Sequence, residues 1–521
     1  MHTQSDTTNQ KQKEQAGTGT ERVRYAKDEH DNSGAATGMG FTPPLFLKCG
    51  PLVRFTGIDK VKAKVGNNKG GRGVWKGSIM IVTDDERSVY EPVPVVRVCV
   101  SAASRDGDVN GGGGEGSNGT GTGTGELIKL SSTGKALGIK PESDIQRGVD
   151  YSTGQGNLFY KLHHPHPNTA HPKPTHPENE QDTETKIQVN AIRLHTERTV
   201  TFWRFNLSIP QSPTQSIVHY SINNAPALTF YIPALNENAH IMFHSCNGFS
   251  LGVDTRSYSG PDPLWRDVLR THTTPRKSFH VMIGGGDQIY NDESRLQTPH
   301  FHHWSEETKN ALRKRRVPFT TAMKTELEDF YIDRYAWWFS HGLFSVAAAH
   351  IPMINIWDDH DIIDGYGSYS RRTMESPVFR GLGAVACKYY LLFQHQSLPM
   401  SMVLDNEENA DDMEDSWVLG QNAGPYIDEV SRNLFVRLGA RMAFLGVDCR
   451  MERTRYRILE RESWDILLGR CREGIIRGET RHLVVLLGVV SSLFLSLITL
   501  PKSENNNPND HSFPPPKKKP S

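Results

Sequence analysis

Four apolar runs of strand length in the second half of the chain each end at side chains that can carry chemistry. The runs and their continuations are residues 240–245 before Cys246-Asn247-Gly248, residues 280–285 before Gly286-Asp287-Gln288-Ile289-Tyr290, residues 351–357 before Asp358-Asp359-His360-Asp361, and residues 442–447 before Asp448-Cys449-Arg450. Ligands of open α/β folds bind at the carboxyl ends of the strands. If these strands are neighbours, a thiol, several carboxylates, a phenol, an imidazole and a guanidinium converge at one rim.

Helical patterns alternate with these strand-like runs. They cover residues 265–271, 306–314, 319–349 and 464–473. Such alternation is typical of an α/β domain whose helices cover a largely buried sheet. We expect this domain to span residues 234–500.

The part before this domain contains short strand-like runs between turn residues. They are residues 45–47, 73–83, 93–100, 187–194, 199–207, 216–222 and 227–232. This pattern predicts an all-β, sandwich-like accessory domain over residues 41–233. Two segments interrupt it, glycine-rich residues 104–125 and histidine- and proline-rich residues 163–185, and both are predicted to be disordered.

Composition narrows the class of protein. Only 36% of the 521 residues are hydrophobic, which favours disordered tails at residues 1–40 and 501–521. Lys plus Arg and Asp plus Glu number 59 each, so no basic excess favours a nucleic-acid partner. Six cysteines in so long a chain and an N-terminus without an apolar signal region predict a cytoplasmic protein.

The side chains at the strand ends suit a metal site. Carboxylates, thiolates, phenolates and imidazoles bind metal ions, and two neighbouring ions can clamp a phosphoryl group for displacement. Residues 358–361 place four ionisable side chains directly after an apolar strand, where desolvation is costly unless a counter-charge is present. A bound cation supplies that charge, so the pattern predicts a metal site for phosphoryl chemistry.

Four ordered motifs together resemble those of the PhoD-like phosphatases, a branch of the calcineurin-like metallophosphoesterases. They are Ser245-Cys246, Gly286-Asp287-x-x-Tyr290, Trp357-Asp358-Asp359-His360-Asp361 and Val447-Asp448-x-Arg450. The longer strings MIGGGDQIYND, NIWDDHDIIDGYGSY and FLGVDCRMERTR are similar to a eukaryotic PhoD-like domain known mainly from fungi. The resemblance implies a metallophosphoesterase domain, a β-sandwich core flanked by helices, after an accessory β domain. It also implies hydrolysis of phosphate esters by a metal-activated water or oxygen nucleophile.

The resemblance further implies two metal ions and their ligands. Cys246 and Tyr290 would bind Fe³⁺, and Asp287 would bridge both ions. Asp359 would bind the second, divalent ion, such as Ca²⁺.

Catalytic roles are implied in the same way. His360 would stabilise the transition state or protonate the leaving group, and Asp361 would orient His360. Arg450 and Asn247 would contact the phosphate of a substrate that the sequence does not identify. The sequence carries no prediction of the oligomeric state.

The resemblance weakens towards the C-terminus. Metallophosphoesterases complete the second metal site with histidines on later strands, whereas His511, in an Asn- and Pro-rich stretch, is the one histidine after His482. We therefore expect a chain that is shortened or divergent at this end. The alternative to an active phosphatase is a catalytically incomplete, PhoD-like pseudo-phosphatase that acts as a binding or scaffold protein.

Residues 483–500 permit a second interpretation of their own. They are 18 residues without a charge, which is just long enough to cross a membrane. A C-terminal membrane anchor is therefore the alternative to a further strand and to the cytoplasmic location.

A thiol-dependent phosphatase is the competing enzyme class. Cys449-x5-Arg455 and Cys471-x5-Arg477 match its spacing. The intervening residues are bulky or charged, and such a loop needs small residues with open backbone amides. We therefore expect neither thiol to be a nucleophile.

Overall fold

The structure is a computed structural model, and the statements below concern the residues that it describes. These are residues 41–61, 72–102, 185–249, 253, 262–274, 276–404, 414–475 and 479–488. The predicted tails at residues 1–40 and 501–521, the insertion at residues 104–125 and nearly all of the insertion at residues 163–185 lie outside them.

The described residues contain 15 strands. They are β1 (Leu47–Val61), β2 (Arg72–Asp84), β3 (Val95–Ala102), β4 (Thr185–Asn190), β5 (Ile192–Glu197), β6 (Val200–Pro210), β7 (Ser216–Ile222), β8 (Leu228–Ile232), β9 (Ile241–His244), β10 (Val281–Gly284), β11 (Met353–Asn355), β12 (Trp417–Ala423), β13 (Val430–Arg437), β14 (Met442–Val447) and β15 (His482–Leu487).

The strands form three sheets. The largest has the order β5-β6-β2-β1-β11-β10-β9, and the other two have the orders β12-β13-β14-β15 and β4-β3-β7-β8. In the largest sheet, β9, β10, β11 and β1 are parallel neighbours, while β1, β2, β6 and β5 pair antiparallel. The carboxyl ends of β9, β10 and β11 therefore meet at one edge, as expected, whereas β14, the fourth strand of the expected set, lies in a different sheet.

Strands from both sides of residue 234 share the largest sheet. β1, β2, β5 and β6 come from the region predicted to be an accessory domain, yet they continue the sheet of β9 to β11. Side chains from both regions also pack into one hydrophobic cluster. The fold is thus a mixed α/β fold, and a separate β domain before it is not seen. The division at residue 234 stays a prediction.

Helices pack around these sheets. They are α1 (Pro263–His272), α2 (Ser294–Gln297), α3 (Pro299–His302), α4 (Ala311–Lys314), α5 (Thr321–Trp338), α6 (Gly342–His350), α7 (Arg371–Met374), α8 (Pro377–Tyr390), α9 (Met400–Leu404) and α10 (Arg461–Gly474), with π-helical turns at His303–Glu307 and Leu391–His395.

The long helix predicted over residues 319–349 is divided into α5 and α6. Gly342 has φ +65°, and a Cβ there would lie 2.3 Å from Oδ2 of Asp262. That same oxygen accepts a hydrogen bond from the Leu343 N–H at 2.8 Å. Glycine therefore lets the carboxylate of Asp262 reach the first turn of α6, which starts a new helix.

The last described strand bears on the stretch at residues 483–500. Residues 482–487 form β15, which pairs in parallel with β14, while residues from 489 onward lie outside the described part. Within the described part of the chain, every helix is too short or too polar to cross a bilayer. The anchor predicted over residues 483–500 does not fit residues 483–487, which belong to β15, and for residues 489–500 it stays a prediction.

Candidate metal centre

The loops after β9, β10 and β11 are tied together by their backbones. Gly284 is paired with His244 on one side and with Asn355 on the other, so the three strands end level. Beyond them, the Cys246 N–H donates to the Gly286 carbonyl at 3.0 Å, and the Asn247 N–H donates to the Asp287 carbonyl at 2.8 Å. The first two loops therefore present their side chains at one place.

Asp287 lies at the centre of this rim. Its Oδ2 is 3.5 Å from the Sγ of Cys246, and its Oδ1 accepts the His360 N–H at 3.2 Å. The turn that projects it depends on Gly286, which has φ +112° and whose added Cβ would lie 2.5 Å from Cβ of Asp358. Burial, followed by the charge of Asp359, raises the pKa of Asp287 above its usual value.

Three carboxylates form a compact group that could hold a metal ion. One ligand oxygen from each of Asp287, Asp358 and Asp359 lies within 4.8 Å of the others. Burial is the main cause that raises the pKa of Asp358 to about 7; the charge of Arg450 acts against this rise, and the charges of Asp359 and Asp287 contribute to it. Carboxylates held this close together repel one another, and a cation relieves that repulsion.

Arg450 supplies part of the missing positive charge. Its guanidinium is buried and forms ion pairs with Asp358 and, at 3.2 Å, with Asp359, while its Nη1 donates to the Tyr366 carbonyl at 3.0 Å. The end of β14 thus reaches the loop after β11. Since these contacts engage Nε, Nη1 and Nη2, the phosphate contact expected of Arg450 stays a prediction.

Asp361 is a buried support of this group. Its Oδ2 accepts the N–H groups of Asp287 at 2.7 Å and Asp358 at 2.9 Å, and its Oδ1 accepts Nε2 of Gln394 at 2.8 Å. Burial raises its pKa to about 8, although these three hydrogen bonds favour the ionised form. One side chain thereby fixes two acidic loops to each other.

His360 faces the same rim, but its partner is not the expected one. Its Nδ1 lies 2.5 Å from Oδ2 of Asp292, and its ring stacks on Tyr290 with centroids 4.4 Å apart. The prediction that Asp361 orients His360 is therefore wrong, because Asp361 turns inward to the backbone of the acidic loops. Asp292, two residues beyond Tyr290 in the loop after β10, makes that contact instead.

Opposing effects set the charge of the His360–Asp292 pair. Burial lowers the pKa of His360, but the hydrogen bond and charge of Asp292, together with Asp287 and Asp359, raise it to about 9. Burial likewise acts to raise the pKa of Asp292, but His360 and the Asp364 N–H bring it below its usual value. The imidazole is therefore held in its protonated form.

Cys246 and Tyr290 complete the arrangement around Asp287. Burial, then the charge of Asp287, raises the pKa of both side chains. The thiol is exposed, whereas the phenol ring is buried between His360 and Trp338. Asp287 thus has a thiol and a phenol near it in addition to two carboxylates.

The amide of Asn247 is already engaged. Its Oδ1 accepts Nε1 of Trp265 at 2.6 Å, and its Nδ2 donates to the Gln288 carbonyl at 3.2 Å. It positions the loop after β9, and the phosphate contact expected of it stays a prediction.

The two thiols of the competing enzyme class do not resemble nucleophiles. Burial raises the pKa of Cys449 to about 12 and that of Cys471 to about 11. Thiolates are scarce at neutral pH under these conditions, which agrees with the prediction against a thiol mechanism.

Sequence reasoning missed two supporting residues. Asp292 lies in the quoted string after Tyr290, and a second carboxylate so close to a motif was the available signal. Gln394 lies in the π-helical turn Leu391–His395 and reaches Asp361 across 33 residues of sequence. Nothing in the local sequence marks that contact.

The structure shows an α/β protein with an acidic, ligand-rich rim at its strand ends. Comparison with known families then identifies the family of this chain. The family model described as PhoD related phosphatase matches residues 225–493, which is more than half of the chain. The chain belongs to this family.

Two individual proteins are also similar. The uncharacterized protein YGR266W of Saccharomyces cerevisiae is 36% identical over 305 residues, which is 55% of this chain and 42% of that protein. The chain thus spans less than half the length of this relative. A solved structure of PhoD shares 11% identity, covers 79% of this chain and 53% of its own, and has a TM-score of 0.33.

Proposed function

We propose that this chain is a metal-dependent phosphatase or phosphodiesterase that acts at the rim around Asp287. One observation supports the proposal above all: Asp287 belongs to two adjacent sets of ligand-type side chains. It lies 3.5 Å from the Sγ of Cys246 and within 4.8 Å of ligand oxygens of Asp358 and Asp359. A carboxylate between two sets is suited to bridge two ions.

The donor types fit such ions. Thiolate and phenolate oxygen at Cys246 and Tyr290 suit Fe³⁺, and the oxygens of Asp359 suit a divalent ion such as Ca²⁺. Burial first, and then the charges of neighbouring carboxylates, raise the pKa values of Asp287 and Asp358, and bound cations would stabilise the ionised forms. When bound, the ions supply Lewis-acid stabilisation of phosphoryl oxygens and lower the pKa of an attacking water.

The chain's own residues supply orientation and a proton. His360, protonated and held by Asp292 through Nδ1, directs its Nε2 away from that partner. From there it stabilises charge on a phosphoryl oxygen or gives its proton to the leaving group. Asp361 keeps the loops of Asp287 and Asp358 in register through its two backbone hydrogen bonds.

A binding or scaffold role is the second candidate, and Arg450 favours it. Its guanidinium pairs with both Asp358 and Asp359, so a protein cation already offsets two carboxylates of the group. Within the described ranges, no histidine belongs to that group. A site balanced in this way could hold one ion or none and still bind a phosphate ester.

The test is hydrolysis of p-nitrophenyl phosphate and bis-p-nitrophenyl phosphate by the full chain. Wild type, a chelator-treated sample and His360→Asn are compared across pH, with His303→Asn at an exposed position as the matched control. Loss of activity in the chelated sample and a loss of about 100-fold or more in His360→Asn support catalysis. No hydrolysis by wild type with any added metal supports the scaffold role.

A further inference from the structure

Arg453 is a half-buried guanidinium beside the candidate metal centre with no hydrogen bond or ion pair to any described residue. Its Nε is shielded from solvent and has no hydrogen-bond partner. A buried guanidinium normally pairs with a carboxylate or carbonyl group, because an unpaired charge is costly to desolvate. The Nε of Arg453 is therefore an unused donor at a costly position.

The aliphatic part of the Arg453 side chain lies beside the loop that follows the acidic motif. A Cβ added to Gly367 would lie 3.1 Å from Cγ and Cδ of Arg453, so the side chain packs on the loop that follows the acidic motif. The preceding residue, Tyr366, accepts Nη1 of Arg450 through its carbonyl. Both arginines thus contact the same loop, at adjacent residues.

The nearby carboxylates are already engaged by other groups. Glu452 accepts the hydroxyls of Ser431 and Ser463 and the Glu460 N–H. Asp448 accepts Trp357 Nε1 and several backbone N–H groups. Their acceptor oxygens serve the protein's own donors.

Arg450 and Arg453 therefore differ in what they can bind. Arg450 contacts Asp358, Asp359 and a carbonyl group. Arg453 interacts electrostatically with Asp358 and Asp359 but makes no ion pair with them. Arginine presents a planar fork of donors that matches the oxygens of a phosphate group. A substrate with one phosphoryl group uses the ions and His360 and leaves Arg453 without a counter-charge.

We propose that Arg453 binds a second anionic group of the substrate, so that the preferred substrates carry two neighbouring phosphate groups, as diphosphates do. The proposal rests on the proposed function for the position of the first phosphate. Arg453 acts here as a specificity-determining residue. The scissile phosphate lies at the Asp287 rim, and the remaining phosphate lies over Gly367.

Binding of methylenediphosphonate, a diphosphate mimic that resists hydrolysis, tests this proposal separately from catalysis. Its affinity and that of orthophosphate are measured by calorimetry on the full chain after free metal has been removed. Wild type, Arg453→Gln, Arg453→Lys and the exposed neighbour Arg455→Gln are compared. We expect Arg453→Gln to lose about 10- to 100-fold in diphosphonate affinity and less than about 3-fold in orthophosphate affinity. The diphosphonate affinity of Arg453→Lys should lie between those of wild type and Arg453→Gln. The affinity of Arg455→Gln should match that of wild type.

Equal losses for both anions would mean that Arg453 contacts the first phosphate, and no loss would mean that it contacts neither; each result overturns the proposal. Failure of wild type to bind diphosphonate more tightly than orthophosphate overturns it as well. If Arg453→Gln selectively loses diphosphonate affinity but wild type hydrolyses no ester, the second phosphate site is supported and the proposed function fails. If wild type hydrolyses esters but Arg453→Gln binds diphosphonate as wild type does, the proposed function is supported and the second phosphate site fails.

Discussion

The Nδ1 of His360 and the Oδ2 of Asp292 lie 2.5 Å apart, across 68 residues of sequence. Because an ionised carboxylate can only accept a hydrogen bond, this contact fixes Nδ1 as the donor. The other ring nitrogen, Nε2, is thereby directed away from Asp292 and lies 4.0 Å from Oδ1 of Asp364. The pair therefore determines both the orientation and the charge of the imidazole.

Asp292→Asn should lower the pKa of His360 and slow catalysis. The hydrogen bond and charge of Asp292 are the largest of the effects that raise that pKa to about 9, so without them the imidazole loses its proton at lower pH. Two-bond proton–nitrogen NMR of the metal-free chain measures the pKa directly, and kcat is expected to fall by about 100-fold with little change in KM. Asp364→Asn, at an exposed carboxylate that makes no hydrogen bond to the ring, is the control and should change both values much less. An unchanged His360 pKa in Asp292→Asn would contradict the assigned contact.

Asp361→Ala should destabilise the chain by about 3 kcal/mol or more. The substitution leaves the N–H groups of Asp287 and Asp358 and the amide of Gln394 without their acceptor, and each unsatisfied buried donor costs about 1–3 kcal/mol. Urea denaturation of the metal-free chain measures the loss. Asp361→Asn keeps one acceptor oxygen and should lose less, whereas an effect of Asp361→Ala below about 0.5 kcal/mol would argue against this support.

Gly286→Ala should lower the stability of the chain, whereas Gly469→Ala should leave it unchanged or raise it. A Cβ at Gly286 would lie 2.5 Å from Cβ of Asp358 on a backbone with φ +112°, so the acidic loop must move. Gly469 lies inside α10 with nothing within 4 Å of an added Cβ, where alanine favours the helix by up to about 1 kcal/mol. Thermal unfolding should show a lower Tm for Gly286→Ala and an equal or higher Tm for Gly469→Ala. A Gly286→Ala chain with wild-type stability and metal content would show that the turn is not constrained.

Acid should destabilise the fold through buried histidines far from the metal centre. Nδ1 of His280 accepts the His240 N–H at 2.8 Å, and Nδ1 of His272 accepts the Phe279 N–H at 3.0 Å, so protonation at Nδ1 breaks these bonds. Burial is the main cause that lowers both pKa values to about 3.

The sign of this effect follows from proton binding. Between pH 6.5 and about 3 the unfolded chain protonates these rings while the folded chain does not, so stability falls as the pH falls. His280→Asn should reduce the slope of the unfolding free energy in this window by up to about 1.4 kcal/mol per pH unit. His482→Asn, at an exposed position, is the control. Parallel curves for wild type and His280→Asn would contradict the buried, neutral state of His280.

The strand ends near the site are easier to predict from the sequence than the pairing of the strands into sheets. The strands that end at Cys246, Asp287 and Asp358 are short apolar runs with polar ends, and this local pattern survives in the structure. β1 is harder to predict because bulges interrupt its pairing with β2 between Cys49 and Leu52 and between Phe55 and Gly57. Of the strand expected at residues 45–47, only Leu47 lies in a strand, as the first of the 15 residues of β1.

Long-range contacts explain the other differences. No local pattern shows that β1 continues the sheet of β11, since the two are joined in register at Arg54 and Met353, 299 positions apart. The same holds for Asp292 and Gln394, whose importance comes from side chains that the fold brings to them. Residues of this kind are found only once the loops have been placed in space.

Metal content of the purified, untagged chain tests the central claim most directly. Elemental analysis should find two metal ions per chain in wild type, one of them iron. Asp359→Asn should keep the iron and lose the second ion, and Asp287→Asn should lose both, because Asp287 belongs to both sets of ligands. A wild-type chain with one ion or none, or an Asp287→Asn chain that retains both, would contradict the account.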